Sequence, residues 1–184
     1  MNFNDIIQKI KKSRMTANQY AESIGVKLGK GCWLSTKDFP SEGSMIEFGD
    51  YVRVAAGTSF YTHGAVWSLR HLYKDEDLEI CGKIKVGSYT SIGANVMVMP
   101  GVTIGERCIV AGGSIVAKSV PDGCMVAGNP AKFIGYTEDF YVRLKEKNDF
   151  GCHKMTHKEK MKYLMSQPED KFIKKGYIKL PDAK

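Results

Sequence analysis

No stretch of this sequence approaches the roughly 20 consecutive apolar residues that a membrane-crossing helix needs. The opening MNFNDIIQKIKK carries charges where a secretory signal would have its apolar stretch, so the expected location is the cytoplasm. Cysteine is sparse and unpatterned. Cys32, Cys81, Cys108, Cys124 and Cys152 are odd in number and form no C-x-x-C pair, which argues against a disulfide framework and a zinc knuckle. They are expected to be small buried side chains. No zinc finger, RNA-recognition signature or aromatic-interleaved basic stretch is present, so nucleic acid is not an expected partner. The 184 residues suffice for one domain with its own core, and a second full domain is not expected.

The formal charge of +7 is unevenly placed. Residues 1–27 carry a net +3, residues 28–131 a net −1 and residues 132–184 a net +5. Basic flanks of this kind are either solvated helix faces or attractors of phosphate and anionic membrane surface.

A repeat of six occupies the middle. From residue 80 the chain reads ICGKIK, VGSYTS, IGANVM, VMPGVT, IGERCI, VAGGSI, VAKSVP, each block opening on Ile or Val. The fifth places, Ile84, Thr90, Val96, Val102, Cys108, Ser114 and Val120, are compact or β-branched, and Gly often holds the second place. Neither a 3.6-residue helix nor simple alternation singles out every sixth residue. Short β segments joined by tight turns do, with the opening aliphatic pointing into a narrow core. Three blocks then make one triangular coil, and coils stack at about 4.8 Å. FGDYVR, VAAGTS and FYTHGA extend the pattern upstream on Phe48, Val54 and Phe60, and LGKGCW leads into Leu34.

Counting in sixes from Phe60 predicts openings at 66, 72 and 78, whereas the clean series restarts at 80, so residues 66–79, VWSLRHLYKDEDLE, interrupt it just past His63. Loops that break a rigid scaffold tend to carry function. The ends read as helices. NDIIQKIKKS spaces Ile6, Ile7 and Ile10 as one face, and TANQYAESIG offers Thr16 as N-cap and Gly25 as stop. TEDFYVRLKEKN and THKEKMKYLMSQ each start on Thr with acidic residues following. The expected organisation is a helical cap at 1–27, a repeat domain at 28–135 with the inserted loop, and a basic helical extension at 136–184.

Taken together, the hexads, THGAVW with its loop, PGVTIG, and GGSIVAKSVPDGCMVAGNPAKFIG resemble the left-handed β-helix acyltransferases. The likeness is to bacterial polysaccharide O-acetyltransferases and to maltose and galactoside acetyltransferases, over about residues 20–136. It implies a mainly β fold, a left-handed parallel β-helix with helical caps, assembled as a homotrimer with active sites between subunits. It also implies acetyl-CoA as co-substrate, no metal, and a sugar or glycan acceptor.

On this resemblance His63 takes the place of the general base, suited because histidine accepts a proton near neutral pH. Ala94, Gly112 and Ala117 would line the CoA groove, with Lys118 and Lys132 near its phosphates. Trp67 and Arg70 in the loop are acceptor candidates by ring stacking and by the guanidinium fork. Asp38 and Asn95 are further acceptor-binding candidates, and each is also explained as a turn or corner residue. Gly64 follows His63 where relatives often have a polar residue, so whatever orients the imidazole must come from elsewhere. Two other readings stay open: a non-catalytic trimeric β-helix scaffold, and a γ-type carbonic anhydrase, which needs three histidines around zinc.

Overall fold

The computed structural model describes residues 12–147 and 150–177. The chain divides into two compact units, Met1–Thr137 and Glu138–Lys184. The Ile6, Ile7 and Ile10 face lies outside the described residues.

The first unit is a coil of three parallel sheets visited in rotation. The first sheet stacks β1 (Lys27–Leu28), β3 (Ile46–Phe48), β6 (Ile84–Val86) and β9 (Thr103–Ile104). The second stacks β2 (Trp33–Leu34), β4 (Arg53–Val54), β7 (Ser91–Ile92), β10 (Ile109–Val110) and β12 (Cys124–Ala127), and ends on β13 (Lys132–Tyr136). The third stacks β5 (Ser59–Phe60), β8 (Met97–Val98) and β11 (Ile115–Val116). Every pairing is parallel except β12 with β13, which runs antiparallel and finishes the stack.

The hexads dictate this geometry. Val54, Val98, Ile104 and Val116 open their blocks and are completely buried, and Val86, Ile92 and Val110 nearly so. Truncating one such side chain, Ile92→Ala for example, would cost about 2–5 kcal/mol through lost transfer energy and the cavity left behind. At the fifth places Thr58 and Thr90 are also fully buried, which is tolerable because each hydroxyl donates to a carbonyl of a neighbouring coil: Thr58 Oγ1 to Gly93 O at 2.8 Å and Thr90 Oγ1 to Gly105 O at 2.7 Å. Phe39, Phe48 and Phe60 fill the wider N-terminal coils, Phe39 stacked on Phe60 with centroids 5.3 Å apart.

Two details go beyond the sequence reading. Glycine in the second place serves close stacking of coils: a Cβ on Gly93 would sit 2.4 Å from the Gly112 nitrogen. The left-handed residues fall two places later, and include Tyr51, Tyr89, Asn95 and Arg107. Second, Ile80 does not open a core block. It is half exposed, and the inward series resumes at Ile84 and Val86.

At the N-terminal end, α1 (Ala17–Ser23) starts on a reciprocal capping box between Thr16 and Gln19, and Gly25 follows it at φ 92°. Asn18 ties the helix to the first coil, accepting from Leu34 N–H at 3.0 Å and donating to Cys32 O at 2.8 Å. Elsewhere in the chain lie α2 (Trp67–Tyr73), α3 (Thr137–Lys147) and α4 (His157–Met165). A capping box of Thr156 and Glu159 opens α4, and Glu138 and Asp139 stand in the first turn of α3.

Candidate active site

Register places the break in the repeat. Successive coils pair Val86 with Ile104 and Ile92 with Val110, 18 residues apart, whereas Phe48 pairs with Val86, 38 residues on. The excess is spliced into the corner where the chain passes from the third sheet to the first. At its neck the chain leaves and returns side by side: Gly64 N–H donates to Ile80 O at 3.1 Å, Gly82 N–H donates to Thr62 O at 2.7 Å, and His63 lies opposite Cys81 in an antiparallel bridge. His63 is thus fixed on a short rigid ladder at the foot of an excursion.

The excursion has its own structure where the sequence suggested only a loop. Val66 is buried and anchors it; Trp67 to Tyr73 form α2, closed by Lys74 in the left-handed region at φ 54°. Arg70 is committed to holding it shut, with Nε donating to Leu78 O at 2.6 Å and Nη2 paired with the Glu79 carboxylate. Arg70 also lines the cleft beside Trp67. Trp67 is 69% exposed, its ring set edge-on against His71 at 4.5 Å, over a cleft of about 540 Å³ reaching to Lys74 and Glu76.

The residue that faces the imidazole is one the sequence reading missed. Glu42 Oε2 lies 3.4 Å from His63 Nδ1. Glu42 comes from the same corner one coil earlier, on the short 3₁₀ turn Gly43–Met45 and its approach. Its carboxyl is held below the ordinary carboxylate range, first by the Ser41 hydroxyl donating at 2.9 Å, then by its own backbone N–H, with lesser help from the imidazole and the Thr62 hydroxyl; desolvation opposes these. The group is therefore a carboxylate at neutral pH. A detectable signal existed: Leu28 pairs with Phe48 and Leu34 with Val54, each 20 residues on instead of 18, so the first coil also carries an enlarged segment.

Asp38 bridges to Ser59 on the third sheet, and its carboxylate accepts the Ser59 hydroxyl. Asn95 sits in the left-handed region at φ 56°, its backbone N–H donating to Ala56 O at 3.0 Å, so it builds the corner between the second and third sheets.

The expected groove residues divide between two corners. Ala94 and Gly112 stand at the corner between the second and third sheets, packed so that Gly113 N–H reaches Ala94 O at 2.8 Å. Ala117 and Lys118 follow β11 at the corner that carries His63, two coils further, a rise of about 10 Å. Beside Lys118 is a groove of about 430 Å³ with Phe133 and Tyr136, an edge-to-face pair at 4.9 Å, on its wall. Lys132 is exposed on β13, opposite Ala127. One copy of the coil therefore does not gather all five residues in a single cleft.

Cys81 is a correction of another kind. Cys108, Cys124 and Cys152 are buried and Cys32 half-buried, as small apolar residues should be, but Cys81 is exposed at the neck. Among the described residues no three His, Cys, Asp or Glu side chains come together as a metal-ion site.

Comparison with known proteins agrees with this geometry. Residues 83–118 match the family described as bacterial transferase hexapeptide, six repeats. Protein CapG of Staphylococcus aureus is 34% identical over 148 residues, 78% of this chain and 84% of its own length. A protein of Staphylococcus aureus strain MRSA252, provisionally named an acetyltransferase, is 38% identical over 109 residues, covering 59% of this chain; the chain spans only 54% of that relative's length. Among solved structures, a galactoside acetyltransferase in complex with coenzyme A shares the fold, with a TM-score of 0.53 over 76% of this chain and 80% of its own, at 21% identity.

Proposed function

Because this chain belongs to the bacterial transferases built on the hexapeptide repeat, we propose that it moves an acetyl group from acetyl-CoA to a hydroxyl of a sugar or surface-polysaccharide precursor, with His63 as general base. The observation that carries the reading is the position of His63: pinned at the neck of the excursion, half exposed, with a carboxylate behind Nδ1.

The chemistry follows from that arrangement. A neutral hydroxyl is a poor nucleophile, so a base must take its proton as it attacks the thioester carbonyl. With Nδ1–H held toward the Glu42 carboxylate, the lone pair of His63 sits on Nε2. Nε2 accepts the hydroxyl proton as the new C–O bond forms. Backbone N–H groups of the coil stabilise the charge that gathers on the carbonyl oxygen. The imidazolium then returns its proton to the thiolate as the C–S bond breaks. Glu42 acts through His63, fixing tautomer and ring orientation, and is a positioning residue.

The division of the groove residues supports an assembled site. In a left-handed homotrimer, the corner bearing His63, Ala117 and Lys118 in one copy faces the corner bearing Ala94 and Gly112 in the next, and the pantetheine arm lies between them. The galactoside acetyltransferase whose fold this chain shares was solved with coenzyme A. Lys118, with Phe133 and Tyr136 beside it, suits the phosphorylated adenosine end. Trp67 offers its exposed ring to the acceptor sugar.

His63→Ala is expected to fold and bind acetyl-CoA as the wild type does and to lower turnover by about two to four powers of ten, measured as thiol release over a panel of sugar acceptors. Wild-type turnover in the purified variant would refute the assignment.

A further inference from the structure

The second unit is rich in positive charge. Residues 150–177 hold seven lysines against three carboxylates. Its helix α4 places two of its three lysines on one side, with Lys160 on the other. At 100° per residue, Lys158, Met161, Lys162 and Met165 fall within about 100° of arc. All four are exposed, Met161 at 44% and Met165 at 80%. The half-buried Tyr163 and Leu164 turn the other way.

The only carboxylate on α4 is occupied elsewhere. Glu159 closes the capping box, accepting from the Thr156 N–H at 2.9 Å and its hydroxyl at 2.6 Å. Among the described residues neither Lys158 nor Lys162 has an ion-pair partner. The two exposed methionines make this face apolar as well as positive. Apolar side chains set between lysines, whose aliphatic stems lie flat while the ammonium groups reach outward, match a boundary between hydrocarbon and negative charge. Further along, Lys174 and Lys175 repeat the composition between the exposed Ile173 and Tyr177.

We infer that α4 is a docking face for an anionic membrane surface, Met161 and Met165 entering the headgroup layer and Lys158 and Lys162 meeting lipid phosphates. The lysines supply attraction and the methionines depth. The inference is independent of acetyl transfer, so the His63→Ala chain should dock as the wild type does.

Co-sedimentation of the full chain with vesicles tests it. Binding is expected with phosphatidylcholine mixed with phosphatidylglycerol, weakening as salt is raised, and not with phosphatidylcholine alone. Lys158→Gln with Lys162→Gln should lower partition about 30-fold, whereas the paired Lys→Arg changes should preserve it. Met161→Ser with Met165→Ser should lower it about tenfold. Equal sedimentation with and without phosphatidylglycerol, partition unmoved by either pair of substitutions, or retention on transfer RNA with no vesicle binding would each overturn the inference.

Discussion

Glu42→Gln isolates the role of the carboxylate, because the amide keeps the shape and removes the charge. A hydrogen bond to a charged group contributes about 1.5–3 kcal/mol when well made. Here the partners are 3.4 Å apart and each is about half exposed, at 53% for His63 and 46% for Glu42. Solvent screening brings the effect down to about 1 kcal/mol, or roughly a fivefold loss of kcat. The KM for acetyl-CoA should not move, since Glu42 touches only the base and its neighbours. Glu42→Asp, one methylene shorter, should not restore the rate.

The pH dependence carries a sign. The Glu42 carboxyl is depressed, so its charge is fully present above the ordinary carboxylate range and is lost only as pH falls through a still lower value. Protonation of Glu42 should therefore add no step to the acid limb of kcat/KM in the wild type until the pH falls below the ordinary carboxylate range. A double-mutant cycle gives the decisive result: Glu42→Gln should cost nothing further in the His63→Ala background. The same fivefold loss without the histidine, or an unchanged kcat in Glu42→Gln alone, would refute the positioning role.

Neutralising Lys118 and Lys132 together should raise the KM for acetyl-CoA more than it changes kcat, and steady-state kinetics at varied acetyl-CoA would expose the opposite pattern. Limited alkylation followed by peptide mass analysis should label Cys81 first and inactivate the protein, since Cys81 sits opposite His63. Cys108 should resist: burial pushes its thiol up, so it stays protonated at mildly alkaline pH as well as shielded.

The coil was legible because its core is narrow and strictly periodic. Each block opens on one inward aliphatic, so Val86, Ile92, Val98, Ile104, Val110 and Val116 announce the sheets without reference to anything distant. Thr16, Gly25 and Thr156 were equally local signals, and each sits where capping chemistry puts it. Ile80 misled because an aliphatic in phase is indistinguishable, by period alone, from one packed across a loop neck against Gly64. Glu42 escaped because its partner lies 21 residues away across an irregular turn, a separation no repeat encodes. Arg70 suited an acceptor by type, and only the geometry shows its guanidinium bonded to Leu78 and Glu79. Asp38 and Asn95 likewise have chemistry that fits a site and coordinates that serve the coil.

The neck has a consequence for how much the excursion can vary. Because residues 62–64 and 80–82 pair side by side, the excursion starts and ends on one rung, and the stack above and below does not register its length. Lengthening such a loop costs only slowly growing closure entropy. The segment can be exchanged like a tool head, with new contents at 65–79 while the imidazole and its carboxylate stay clamped to the shaft.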